Sequence, residues 1–172
     1  MEFTAFPKIA RLNRDIIITE KIDGTNASIY IGENGTFFTG SRTHWITPDS
    51  DNFGFSLWAS KNKEELLRLG PGHHFGEWWG VGIQRNYQLS ERRFSLFKPI
   101  ENLPMCCRVV PVLYQGPFIT ENIEHVLTNL AITGSQAEPG YMNPEGIVIF
   151  HTASRMLFKK TIKEDETPKG AR

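Results

Sequence analysis

The run Lys21-Ile22-Asp23-Gly24-Thr25-Asn26 sets a lysine at the end of an apolar stretch, Ile16-Ile17-Ile18. Behind it comes an alternating stretch, Ala27-Ser28-Ile29-Tyr30-Ile31. A solvated lysine keeps its proton near neutral pH and is a poor nucleophile. One held on a rigid strand end near a second cation gives the proton up more readily and can attack. Asp23 favours a turn, and Gly24 admits backbone angles that other residues avoid. Taken alone, Lys-x-Asp-Gly reads first as a turn between strands with a surface lysine, because Asp-Gly turns are common.

A second candidate group is Glu77, isolated among Phe75, Trp78 and Trp79. An acid is seldom buried without a partner, so either a salt bridge or a polar ligand is required there. The only cysteines, Cys106 and Cys107, are neighbours in sequence, which disfavours a disulfide and leaves no second pair for zinc; they read as reduced packing residues. The five histidines, at 44, 73, 74, 125 and 151, show no ligand spacing. Lysine and arginine total 19 against 19 acids, so any polyanion-binding surface has to be local. Two strips qualify: Arg85, Arg92, Arg93 and Lys98, and Arg155, Lys159, Lys160 and Lys163.

The elements that must hold these groups are short strands. Ile16–Glu20 and Ala27–Ile31 read as strands, with Gly32-Glu33-Asn34-Gly35 as a hairpin turn and Thr36–Gly40 as the returning strand. From Phe55 to Leu69 the pattern is helical, ended by Gly70-Pro71-Gly72. Phe75–Gly80, Arg93–Phe97 and Val109–Tyr114 read as further strands, with Pro111 marking an edge or a bulge. Thr120 is the expected N-cap of a helix presenting Ile123, Val126, Leu127 and Leu130 on one face. A loop, 134–143, precedes a last pair of strands, Glu145–Phe150 and Met156–Thr161. The sum is an α+β fold of antiparallel sheets with flanking helices. One domain of 172 residues is expected: 1–162 as its body and 163–172 as a short tail that frays. No signal-peptide or membrane-length apolar run is present, so a cytoplasmic protein is expected.

Five segments in order carry more information than any one. They are Lys21–Asn26, Gly40-Ser41-Arg42, Phe75-Gly76-Glu77, Pro144-Glu145-Gly146-Ile147-Val148 and Leu157-Phe158-Lys159-Lys160. Together they resemble the motif set of the covalent nucleotidyltransferases, the superfamily of ATP-dependent RNA and DNA ligases and mRNA capping enzymes. DNA ligases and capping enzymes usually carry an arginine five residues after the lysine. Here that residue is Asn26, which resembles the RNA ligases of the T4 RNA ligase 2 type, as do Phe75-Gly76-Glu77 and the aromatic pair Phe94 and Phe97.

The resemblance implies an adenylyltransferase core, a ligase fold likened to ATP-grasp, without an appended OB domain. Lys21 would attack the α-phosphate of ATP, and AMP would pass to an RNA 5′-phosphate before that end joins a 3′-hydroxyl. Glu145 and Asn26 would hold a divalent cation, Mg²⁺ or Mn²⁺. Glu77 would meet a ribose hydroxyl, and Arg42 the ribose or the RNA end. Phe94 and Val148 would sandwich the purine, Glu20 would offer backbone groups to adenine, and Lys159 would touch the α-phosphate. The pattern's second lysine, two residues after Lys159, is replaced by Thr161, with Lys163 as a possible substitute. Two alternatives stay open: the same first step serving DNA or mixed nicks, and a non-catalytic module that binds nucleotide or RNA ends.

Overall fold

The computed structural model describes residues 1–163 and 165; the expected fraying of the tail lies largely outside the described residues. Ten strands form two sheets. The first has four strands in the order β10 (Met156–Thr161), β9 (Gly146–His151), β1 (Asp15–Lys21) and β8 (Val112–Pro117). The second has six, in the order β4 (Trp45–Ile46), β3 (Phe37–Gly40), β2 (Thr25–Ile31), β5 (Gly72–Gly80), β6 (Arg92–Leu96) and β7 (Cys107–Val109). All pairs are antiparallel except β6 with β7, which is parallel.

Alternation assigns each face. Ile16 and Ile18 of β1 and Ile147 and Ile149 of β9 meet Ile123, Val126, Leu127 and Leu130 of helix α3 (Thr120–Thr133), the face expected from their spacing. Ala27, Ile29 and Ile31 of β2, with Trp78, Phe94 and Leu96, meet Phe55, Ala59 and Leu66 from α1 (Phe55–Lys61) and α2 (Lys63–Leu66). A third cluster, Ile22, Trp79, Tyr87, Leu89, Val110 and Tyr141, lies where the chain passes from one sheet to the other. Cys107 is buried in the second cluster and Cys106 packs against it; both are free thiols.

Four local readings change. The helix expected over 55–69 is two short helices and a 3-10 turn, Leu67–Leu69. Asn62 donates from Nδ2 to the Trp58 carbonyl, a side-chain bond that competes with the helical ladder. The residue before α3 is Ile119, and Thr120 is its first helical residue with no side-chain cap. Val109–Tyr114 is not one strand. It parts at Val110-Pro111 into β7 and β8, which edge different sheets, and β1 slips its register beside this point, between Ile18 and Thr19. Lastly, β1 and β2 are in different sheets, so Ile22-Asp23-Gly24 is a crossing rather than a hairpin turn.

Gly24 is needed for space. A Cβ there would stand 2.4 Å from the Trp78 carbonyl oxygen and 2.8 Å from the Trp79 Cβ. No helix among the described residues is long and apolar enough to cross a membrane.

Candidate active site

Lys21 ends β1 on the face of the four-stranded sheet turned away from α3, since its neighbour Glu20 is buried on the α3 side. Its Nζ is 2.5 Å from Oε2 of Glu145, and the two side chains are 20% and 3% exposed. Glu145 precedes β9, whose first residue, Gly146, pairs with Lys21. That pairing is what sets a carboxylate from one motif against an amine from another, 124 residues away.

Across the crossing, Glu77 of β5 accepts from the Gly24 N–H at 3.1 Å and from Nδ2 of Asn26, its cross-strand partner, at 3.4 Å. Burial pushes the Glu77 carboxyl up to about 7, with Glu145 and Asp23 adding to the rise; the Lys21 charge and the Gly24 N–H oppose it. These couplings mark Lys21, Asp23, Glu77 and Glu145 as one electrostatic neighbourhood. Asp23 is held from two sides: its N–H donates to the Tyr87 hydroxyl, and Arg85 donates from Nε to its carboxylate at 3.0 Å.

The remaining candidates divide. Val148 and Lys159 are paired across β9 and β10, and Thr19 pairs with Val148 from β1. By strand alternation all three share the Lys21 face. Lys159 is exposed and forms no ion pair among the described residues. Lys160 points the other way, to Glu124 of α3 at 3.3 Å. Thr161 lies in line with Gly146 and Lys21, and Lys163 reaches the Asn143 side chain, at 3.5 Å. Arg42 is exposed in the turn after Gly40, which pairs with Ser28, so it emerges at the Asn26 end of β2.

Phe94 does not belong to the site. It is fully buried, with ring centroids 5.0 Å from Phe55 and 5.9 Å from Trp58, on the sheet face opposite Glu77. Of the pair Phe94 and Phe97, it is Phe97 whose ring lies on the Glu77 face. Ser95 pairs with Glu77, the ladder continues through the Phe97 N–H to the Phe75 carbonyl, and alternation puts Phe97 beside Ser95. Phe97 is 41% exposed. The Glu20 carboxylate accepts from Ser135 Oγ at 2.6 Å and from the N–H groups of Gln136 and Ala137 at 2.8 and 2.9 Å. Its side chain thus anchors the 134–143 loop, and its N–H donates to the Pro111 carbonyl at 3.0 Å.

The three arginines of the first basic strip are committed internally, while Lys98 is exposed. Arg85 holds Asp23, Arg92 donates to the Phe53 and Val81 carbonyls, and Arg93 pairs with Glu91 and Glu138. Sequence reasoning missed Asp23, Arg85 and Tyr87 as supports of the crossing, and only the Asp-Gly step hinted at any of them. Among the described residues no group of three or more His, Cys, Asp or Glu is placed to cage a metal ion.

The RNA ligase family model matches residues 14–163. The chain belongs to the RNA ligase family. No curated protein matches it. Among solved structures it is similar to two ATP- and manganese-bound variants of the Naegleria gruberi RNA ligase. Each is covered over 51% of its length by 88% of this chain, with TM-scores of 0.67 and 0.66 at 21% and 20% identity. A variant of that enzyme with AMP and manganese gives a TM-score of 0.65 at 20% identity, with 87% of this chain over 50% of that one. The chain thus spans about half the length of these relatives, and identities this low carry the fold alone. Within this RNA ligase fold, Lys21 and Glu77 sit on the two sheets on either side of the Ile22–Gly24 crossing, and Lys159 shares the Lys21 face.

Proposed function

We propose that this member of the RNA ligase family is an ATP-dependent RNA ligase whose residues 1–162 form the adenylyltransferase unit. The observation that carries it is the Lys21–Glu145 pair, 2.5 Å apart, beside a second buried acid, Glu77, in the same neighbourhood. Two buried carboxylates gathered beside one amine are costly to the fold, since burial drives one of them towards its neutral form.

The neutral Nζ amine of Lys21 attacks the α-phosphorus of ATP; a P–N bond forms, pyrophosphate leaves, and the nitrogen releases a proton to solvent. An oxygen of an RNA 5′-phosphate then takes the AMP, and the P–N bond breaks to return the amine. The 3′-hydroxyl of the second end attacks that 5′-phosphate, forming the phosphodiester and releasing AMP. Glu77 accepts from a ribose hydroxyl, Phe97 and Val148 take the two faces of adenine, and the Glu20 backbone edges it. Lys159 stabilises charge developing on the α-phosphate, and Arg42 meets the ribose or the RNA end.

A divalent cation fits the donor set. Glu145 and the Asn26 amide offer hard oxygens, and a magnesium-like ion uses one or two such groups with substrate phosphates and water. Glu145 and Asn26 would hold Mg²⁺ or Mn²⁺, and when bound the ion neutralises phosphate charge.

The two lysines of β10 separate chemistry from packing. Lys159→Ala should slow adenylylation of Lys21 roughly 100-fold. Lys160→Ala should leave that rate unchanged and cost under about 1 kcal/mol of stability, as befits a half-exposed pair. Initial rates of AMP incorporation and thermal melts of both variants check this. The substrate is tested by sealing nicks of all-RNA, all-DNA and mixed strands. RNA ends should join fastest; equal or better sealing of all-DNA nicks overturns the RNA assignment.

A further inference from the structure

The sheet face that carries Asn26 and Glu77 continues beyond them as a field of rings. His73 pairs with Tyr30, Phe75 with Ser28 and Phe38 with Tyr30, so all of these point the way Glu77 does. Trp45 joins them from β4 by lying over Gly40, where a Cβ would stand 3.3 Å from the indole. The absent side chain lets the ring reach across β3 and β2 to stack on His73, with centroids 5.6 Å apart and planes at 27°. His73 touches Phe75 at 4.0 Å, and Tyr30 stacks on Phe38 at 6.3 Å. Tyr30, Phe38, Trp45 and Phe75 are 37%, 50%, 54% and 53% exposed.

A solvent-facing sheet surface is ordinarily polar, and a contiguous apolar field of this kind marks a binding surface. Three features select the occupant. The field is continuous with the candidate site: Phe75 is two residues from Glu77 along β5, about 7 Å by strand rise. The five side chains that build it are all rings, which suits planar partners. Arg42 stands exposed on the turn that joins Gly40 to Trp45, a fork able to meet phosphate beside the stack.

We propose that this field is a stacking platform for unpaired RNA nucleotides flanking the end to be joined. The proposal rests on the RNA ligase reading and narrows it, from RNA ends in general to ends carrying single-stranded nucleotides. Each base stacks through its π-face, so recognition is tolerant of sequence.

Fluorescence titration with a short 5′-phosphorylated, single-stranded oligoribonucleotide tests it. Trp45→Ala combined with Phe38→Ala should weaken binding roughly 10- to 100-fold, whereas Trp45→Phe should retain most of the affinity. Both variants should still gain one AMP on Lys21, which reports an intact fold and site. Joining of overhanging ends should fall with binding, while sealing of a fully paired nick stays unchanged. Unaltered oligonucleotide affinity in the double variant overturns the platform. So does sedimentation of the wild type as a dimer that Trp45→Ala dissolves, because the rings would then be a protein interface. If the wild type forms no lysyl-AMP, the catalytic reading fails, and the titration still decides the platform separately.

Discussion

Lys21→Ala will abolish the gain of one AMP that the wild-type protein shows by intact mass after incubation with ATP and Mg²⁺ or Mn²⁺. The loss should be complete rather than graded, because the lysines of the last motif are not placed to replace Lys21. Lys160 is turned to α3 and paired with Glu124. Lys159 shares the Lys21 face but is two strands away, and Lys163 is turned to the Asn143 side chain. Lys21→Arg should fail as well, since a guanidinium stays protonated and cannot serve as the nucleophile. Removing the amine also strips Glu145 of its 2.5 Å partner, so the variant carries a buried carboxylate with less compensation. A melt should show modest destabilisation but a folded protein, so the missing adduct reports chemistry rather than collapse. Adduct on Lys21→Ala, or none on the wild type at any metal or pH tried, sinks the proposed first step.

How much of this was legible in the sequence depends on which interaction decides each feature. Apolar runs and alternation identified β1 and β2, Phe75–Gly80 of β5 read as a buried strand and is buried on both faces from Gly76 to Gly80, and the spacing of Ile123, Val126, Leu127 and Leu130 found the buried face of α3. Alternation does not say which strand pairs with which. Nothing local revealed that Lys21 and Thr25 belong to different sheets, or that Val110-Pro111 divides one apolar run between both. Site membership fails in the same way. Phe94 and Phe97 are three apart, and in a strand an odd separation sends two side chains to opposite faces. Choosing between them needed the partners of Trp78 and Glu77 on β6. The Lys21–Glu145 contact was foreseeable only through the resemblance, because it depends on the register of β1 against β9. For Glu20 the resemblance implied a backbone role, and no local signal foretold the three donors from the 134–143 loop that close over its carboxylate.

Glu77→Gln should make the protein more stable and less able to bind nucleotide. The carboxyl is 8% exposed, and burial lifts it from 4.5 to about 7. Keeping it ionised in the folded state therefore costs about 3 kcal/mol. The sign follows from proton counting. Between pH 4.5 and about 7 the folded protein holds a proton that the unfolded chain has released, so this group lowers stability as pH rises; above about 7 the full cost is present, and below 4.5 it vanishes. Glutamine is neutral throughout and can still accept from the Gly24 N–H. In buffer with a chelator, the variant should melt roughly 5–10 °C above the wild type at pH 8 and level with it at pH 4.5. Adding ATP should reverse the order at pH 8, because the wild type gains linkage stabilisation through a carboxylate that accepts from the ribose, and the variant gains less. A site tuned for folding alone would use the amide, so a charged acid kept here at a cost of about 3 kcal/mol supports the proposed nucleotide role of Glu77. Equal melting temperatures at pH 8, or equal ATP-induced shifts, would remove that argument.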